Sequence, residues 1–408
     1  MRKTVVAVLS IALFSMLLLT ACSEGNVVEG GKYDISNINQ DMIDGGSQFA
    51  FDVFKSLNNE DANKSIFISP LSISSALTMT YNGAETTTKK AMEEVLGLGD
   101  LDRAVVNENY SHLLNYLQNA DESIELNTAN SIWIRSGEEI KKDFLEKNRN
   151  NFNAEIDTLD FSRDSSVDTI NEWIDNATKG KISKMLNPPI NPDVIMYLIN
   201  AIYFKGEWGM QFDPERTFDG EFKTLSGNKQ TVKMMSLKDE FQFIEGDDCK
   251  AIRLPYGNGQ MSMYAVLPNE SISINDFIKD LDREWWANIR GNLVETDDVL
   301  VQMPKFKLEY GIKNLNDNLK NLGMEEAFGD EADFSAIRED VYISNVLHKA
   351  VIEVNEEGSE AAAATVVEVQ EMAAMEPTTF IADRPFVFII ADDTTGSILF
   401  IGKLLEVE

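Results

Sequence analysis

Apolar side chains recur along this chain at two periods, and the changes of period mark its elements. Ile73, Ala76, Leu77, Thr80 and Tyr81 fall at helical spacing behind Ser69-Pro70, a capping hydroxyl followed by the ring that suits a first helical turn. Gly83 supplies the stop. A second predicted helix carries Ile170, Trp173, Ile174 and Ala177 and ends at Gly180. Residues 194–204 are apolar almost throughout but too few to cross a bilayer, which predicts a strand covered on both faces at the centre of a sheet. Residues 251–254 and 261–267 flank Gly257-Asn258-Gly259, whose members tolerate positive φ, so this pair reads as a hairpin. Residues 386–390 and 398–402 form a similar pair and put the carboxyl terminus in buried sheet. Their turn, with Asp392-Asp393, lacks calcium-ligand spacing and reads as a solvated hairpin. Helices and strands alternate irregularly, and neither a linker nor a repeat interrupts 41–408, so the expected class is one large α+β domain.

Composition agrees with a large core, at 43% hydrophobic and 9% aromatic residues, well above what a disordered chain carries. The formal charge of −32 arises from 68 acidic against 36 basic side chains, a field that repels phosphate backbones and argues against nucleic-acid binding. Two cysteines and two histidines cannot complete a structural zinc site once the first cysteine is assigned, so no metal and no cofactor is expected. Cys249, alone in an oxidising compartment, is expected to be buried or incidental. His112 reads as a surface residue.

The amino terminus has the layout of a secretion signal: Arg2 and Lys3, an apolar run over 5–19, then Leu19-Thr20-Ala21-Cys22. Those last four residues resemble the bacterial lipobox, which implies a diacylglycerol on Cys22 and a lipid anchor at the cell surface, outside the cytoplasm. The expected organisation is therefore a signal over 1–21, a lipidated Cys22 with a polar tether over 22–40, and the folded domain over 41–408.

The most unusual segment begins at Asn355 and runs Glu356-Glu357-Gly358-Ser359-Glu360, then Ala361, Ala362, Ala363, Ala364, Thr365, Val366, Val367, Glu368, Val369 and Gln370. Propensity favours helix in its first half and strand in its second. A period of two fits all of it. Ser359, Ala361, Ala363, Thr365, Val367 and Val369 share one face, small at first and then β-branched, so the first half needs little room to slide between existing strands.

The stretch from Glu356 to Thr365 resembles the hinge of the serpins. Other motifs occur in the same order: Asn63 with Ile66-Phe67-Ile68-Ser69-Pro70-Leu71-Ser72-Ile73, Asn200-Ala201-Ile202-Tyr203-Phe204-Lys205-Gly206 with Trp208, His348-Lys349-Ala350, Arg384-Pro385-Phe386-Val387-Phe388, and Phe400-Ile401-Gly402-Lys403. The resemblance spans 41–408. It implies three β-sheets surrounded by about nine helices, with an exposed reactive-centre loop over about 356–383. It also implies a suicide inhibitor and not an enzyme: a protease acylates itself on the loop and is trapped when the freed loop enters the main sheet. The hinge positions are then Glu356, Gly358, Ser359, Ala361, Ala362, Ala363, Ala364 and Thr365. Ser69, Ser72, Asn200 and His348 match the hydrogen-bonded cluster beneath that sheet.

Family spacing counted from Gly358 puts the reactive bond at Met372-Ala373, while counting back from Arg384-Pro385-Phe386 leaves Ala374 and Met375 eligible. No Lys or Arg lies between Ser359 and Asp383, so the expected partner is an elastase-like or subtilisin-like serine protease with an apolar pocket, bound by a monomer. The alternatives are a non-inhibitory surface lipoprotein of the same fold and an inhibitor of papain-like cysteine proteases. A serine hydrolase is disfavoured, because the chain has no Gly-x-Ser-x-Gly elbow.

Overall fold

The computed structural model describes residues 35–359 and 378–407. Among them are nine α-helices: α1 (Gln40–Glu60), α2 (Pro70–Tyr81), α3 (Thr86–Val95), α4 (Arg103–Asn119), α5 (Lys142–Phe152), α6 (Asp164–Ala177), α7 (Ile274–Lys279), α8 (Arg283–Asn292) and α9 (Asn316–Leu319). The expected signal, Cys22 and most of the expected tether lie outside the described residues.

The helix expected behind Ser69 is α2. Ser69 is extended, its hydroxyl accepts from the Ser72 N–H, and Pro70 sits in the first turn, the arrangement that satisfies an otherwise orphaned donor. Almost every residue of α2 is buried, so it is a rod within the core and not a one-faced surface helix. Gly83 follows it for want of space, because a Cβ there would lie 1.9 Å from Ile337 Cγ1. The second expected helix is α6, which buries Val167, Ile170 and Ile174 and ends before Gly180 at positive φ.

Four strands make the main sheet: β2 (Ile124–Arg135), β3 (Glu155–Leu159), β4 (Met196–Glu207) and the two-residue β14 (Gly358–Ser359), in the order β14-β4-β2-β3. Two ribbons lie on the far side of β4: β10 (Phe306–Glu309) with β13 (Val351–Val354), and β11 (Lys313–Asn314) with β12 (Leu347–His348). The inner face of β4 packs Ile202, with Leu198 and Phe204, into the central core. Ile199 and Tyr197 on its outer face join Trp133 and the buried face of α6 in a second, smaller core. Both faces are covered, as the apolar run over 194–204 predicts.

The remaining nine strands form one continuous ladder, β1 (Ile66–Ile68), β17 (Ile398–Leu404), β16 (Phe386–Asp392), β8 (Met261–Pro268), β7 (Cys249–Tyr256), β6 (Lys229–Glu245), β9 (Val294–Pro304) and β15 (Thr379–Ile381), with β5 (Phe218–Lys223) on β6. The long β6 joins two sheets, since only its last residues pair with β7 while its earlier ones pair with β5 and β9. With the main sheet this makes the α+β architecture of strand layers surrounded by helices that the serpin resemblance implies. The β7–β8 and β16–β17 hairpins form as expected.

The turn between β16 and β17 is not solvated. Asp392 is fully buried and accepts from the Thr395 N–H, the Thr395 hydroxyl and the Tyr116 hydroxyl, while Asp393 binds Arg253, Ser262 and Tyr264. Besides the local Thr395, the partners come from β7, β8 and α4, which are remote in sequence. Cys249 is buried, and desolvation with the nearby Asp248 pushes its thiol up to about 11, an inert state. His112 is exposed on α4.

The α6 cover gives a direct test. Ile174→Ala should lower the unfolding free energy by about 2–4 kcal/mol through the cavity it leaves, whereas the exposed Glu172→Ala should stay within about 0.5 kcal/mol of the parent. Urea titration of both variants checks the contrast, and equal effects would mean that the second core does not hold the helix to the sheet.

Candidate functional site

Along one edge, β4 pairs with β2 over its whole length, from Met196 opposite Ile134 to Gly206 opposite Ile124. Along the other edge, among the described residues, only Glu207 and Gly206 are paired, to Gly358 and Ser359. Below that short ladder a seam separates β4 from β12 and β13. A cavity of about 30 Å³ opens beneath Ser359 between Ile202, Phe204 and Ile352. A larger one of about 270 Å³ continues down the seam, with Asn200 on one wall, Leu347 and His348 on the other, and Ser72 of α2 on its floor. These spaces lie between two strands whose backbone edges face each other without a ladder.

The sequence-predicted cluster sits at the larger cavity. The Ser69 N–H donates to His348 Nε2 at 3.1 Å, and the Ser69 hydroxyl donates to the Leu399 carbonyl at 2.7 Å while accepting from the Ser72 N–H. Three of the four residues are thereby linked. Asn200 turns the other way, donating to Asn130 Oδ1 at 2.8 Å, and Asn130 in turn donates to the Phe152 carbonyl. Asn200 Oδ1 is buried and finds no donor among the described residues. Asn130 was not legible as a site residue, because only the β2–β4 register brings it opposite Asn200.

At the upper end, every link of the chain entering the seam is held. The Glu356 carboxylate, almost fully buried, meets Lys305 Nζ at 2.7 Å and the Thr217 hydroxyl at 2.7 Å. Desolvation pushes that carboxyl up, and these two partners with the Lys305 charge more than offset it, leaving it below the usual carboxylate value. Trp208 donates its backbone N–H to the Glu357 carbonyl and its indole N–H to the Asn355 carbonyl. Tyr256 stacks on Trp208 with ring centroids 4.5 Å apart, and its hydroxyl lies 2.8 Å from Ser359 Oγ. Gly358 passes so close to β4, at φ +152°, that a Cβ would lie 2.1 Å from the Gly206 carbonyl oxygen, a contact no other residue type can make.

Of the predicted hinge, Glu356, Gly358 and Ser359 are seated in this way, while Ala361, Ala362, Ala363, Ala364 and Thr365 lie outside the described residues, as do Met372, Ala373, Ala374 and Met375. Trp208 belongs to the central-strand motif, but Lys305, Thr217 and Tyr256 carry no sequence signal of their own and reach the site only through tertiary packing. Among the described residues no group of three or more His, Cys, Asp or Glu side chains is placed to hold a metal ion, and no described helix is long and apolar enough to cross a membrane.

Residues 44–407 match the family described as Serpin (serine protease inhibitor). An uncharacterized serpin-like protein of the archaeon Methanosarcina acetivorans is 33% identical over 411 residues, 96% of each chain. The leukocyte elastase inhibitor of Sus scrofa is 35% identical over 373 residues, covering 88% of this chain and 97% of that protein. Among solved structures, the thermophilic serpin tengpin in its native state superposes with a TM-score of 0.83 at 35% identity, over 91% of this chain and 95% of its own.

Burial holds the His348 imidazole down at about 4, against 6.5 for the free side chain. The unfolded chain therefore takes up this proton first, so the stability that neutral His348 allows is complete above pH 6.5 and is lost as the pH falls toward 4. The loss should reach about 3 kcal/mol. Urea titrations across this pH range should show a slope that His348→Gln flattens; a variant with the parent's slope would mean that another group carries the proton.

Proposed function

The chain belongs to the serpin family of serine protease inhibitors, and from that premise we propose that it inhibits serine endopeptidases irreversibly, as a suicide substrate whose cleaved loop enters the main sheet. The observation that carries this reading is the open seam beside β4 with Gly358 and Ser359 already seated at its top. Continuing that pairing one residue at a time would set Ala361 opposite Phe204, Ala363 opposite Ile202, Thr365 opposite Asn200 and Val369 opposite Met196, the first residue of β4. Ser359 points inward to Tyr256, so by alternation Ala361, Ala363, Thr365, Val367 and Val369 would face the core.

Physics favours the inserted state. Each new ladder bond contributes about 1 kcal/mol net, and burial of Val367 and Val369 adds about 1.5–3 kcal/mol apiece. A gain on the order of 10 kcal/mol makes the uncleaved form a kinetic trap, held by the barrier to opening and not by equilibrium. Insertion competes with hydrolysis of the acyl bond: if the strand enters first, the protease is carried off still attached; otherwise it is released and the loop has served as plain substrate.

Loop chemistry names the target class. Met372-Ala373 is the preferred scissile bond, with Ala374 and Met375 as neighbours, and the absence of Lys and Arg before Asp383 suits an apolar specificity pocket. Relatives from Sus scrofa, Xenopus tropicalis and Xenopus laevis carry the name leukocyte elastase inhibitor, which supports an elastase-like or subtilisin-like partner. The string Leu19-Thr20-Ala21-Cys22 supports a lipid on Cys22 that tethers this inhibitor to a membrane outside the cytoplasm.

Incubation with an elastase-like enzyme should give a complex that survives denaturing electrophoresis, releasing a peptide that begins at Ala373, while a trypsin-like enzyme should give none. Ala363→Arg should convert the protein into a cleaved, non-trapping substrate, since its guanidinium would face Ile202 in the core without a partner. Equal inhibition of trypsin would overturn the specificity. Full trapping by the arginine variant, or a nicked protein that melts no higher than the intact one, would overturn insertion itself.

A further inference from the structure

The corner between β13 and β14 is built around one side chain outside the predicted hinge set. Asn355 Oδ1 accepts from the Glu357 N–H at 3.0 Å and from the Gly358 N–H at 3.3 Å. The Asn355 N–H donates to the Gly358 carbonyl at 3.0 Å, and the Asn355 carbonyl accepts from the Trp208 indole at 2.9 Å. The chain thus leaves β13 at Val354, reverses over Glu356 and Glu357, and is closed at Gly358 by a backbone bond of the kind that begins an antiparallel pair. Glu356 and Glu357, two like charges in succession, do not favour such a reversal by themselves. An asparagine carboxamide does, by standing in for a backbone acceptor.

We infer that Asn355 is a positioning residue for loop insertion: its carboxamide keeps the reversal folded before cleavage, so that the freed chain lengthens an existing hairpin instead of having to close one. This rests on the insertion reading and adds to it a residue that governs the rate. Closing a turn is the costly step of hairpin growth and each later pair is cheap. From the Asn355–Gly358 closure, successive pairs would run Ser359 beside Val354 and onward down β13 toward β12, while the β4 register brings the same chain past Asn200. The two registers converge on the cavity that Asn200 and His348 share, where Thr365 would arrive with a hydroxyl donor for Asn200 Oδ1, which finds none among the described residues. Starting from a formed corner therefore puts the strand in register with both walls of the seam at once.

The test compares Asn355→Ala, which removes the acceptor, Asn355→Gln, which carries it one methylene too far, and Asn355→Asp, which keeps it in place. Two quantities are read on the whole soluble domain: the number of inhibitor molecules consumed per protease trapped, and the half-time with which a sample nicked in the loop by a non-target protease gains heat resistance. Asn355→Ala and Asn355→Gln should raise both severalfold while leaving the initial rate of loop cleavage at the parent's value, and Asn355→Asp should restore both. Parent values in the alanine and glutamine variants, or an aspartate variant as slow as alanine, would overturn the assignment. If the parent domain itself traps no protease, the inhibitory reading fails, and the half-time after nicking still decides the role of Asn355.

Discussion

An unpaired strand edge inside a covered sheet is the constraint on which the rest of this molecule depends. A backbone edge with neither water nor a partner is costly, and exposed edges invite foreign strands. Here β4 has apolar cover on both faces, from the central core and from α6, and pairing along one side from Met196 to Gly206. On the other side, among the described residues, only Gly358 and Ser359 pair with it. Polar groups hold both walls of the seam from below: the Ser69 N–H at the head of α2 holds His348, and Asn130 of β2 holds Asn200.

Each wall is thus anchored by polar groups that stay within its own half. Ser69 serves twice, capping α2 with its hydroxyl and donating its backbone N–H to His348, so the helix beneath the sheet and the strand beyond the seam share one residue. Asn200 and Asn130 do the same for β4 and β2. No direct hydrogen bond joins Asn200 to His348 among the described residues; below the top, where Glu356, Trp208 and Tyr256 gather the incoming chain, the two sides meet through apolar packing, with Leu347 and Val351 against the core that holds Ile199. Parting the sheet below that point would cost apolar contact but no hydrogen-bonded ladder among the described residues.

The sequence made much of this legible because local chemistry and tertiary demand agree there. Ser69-Pro70 starts a helix by propensity and the core accepts it; the apolar run over 194–204 needs cover on both faces and finds it; Gly358 permits a close approach that the fold uses. Reading failed where partners come from remote segments. Asp392-Asp393 has the look of a solvated turn, yet Tyr116, Arg253 and Tyr264 draw it inside. Asn130, Lys305 and Thr217 have no local pattern that marks them; only strand register and packing give them their neighbours. Gly83, read as a helix stop, is also a matter of room beside Ile337.

The buried, unreactive state of Cys249 has a practical bearing on how this domain is watched at work. With that thiol closed off, two cysteines introduced at exposed positions of a segment over 41–408, which leaves out Cys22, become the addresses for maleimide-linked dyes. A fluorophore pair straddling the seam could then report strand entry in real time, without first removing a native sulfur from the interior.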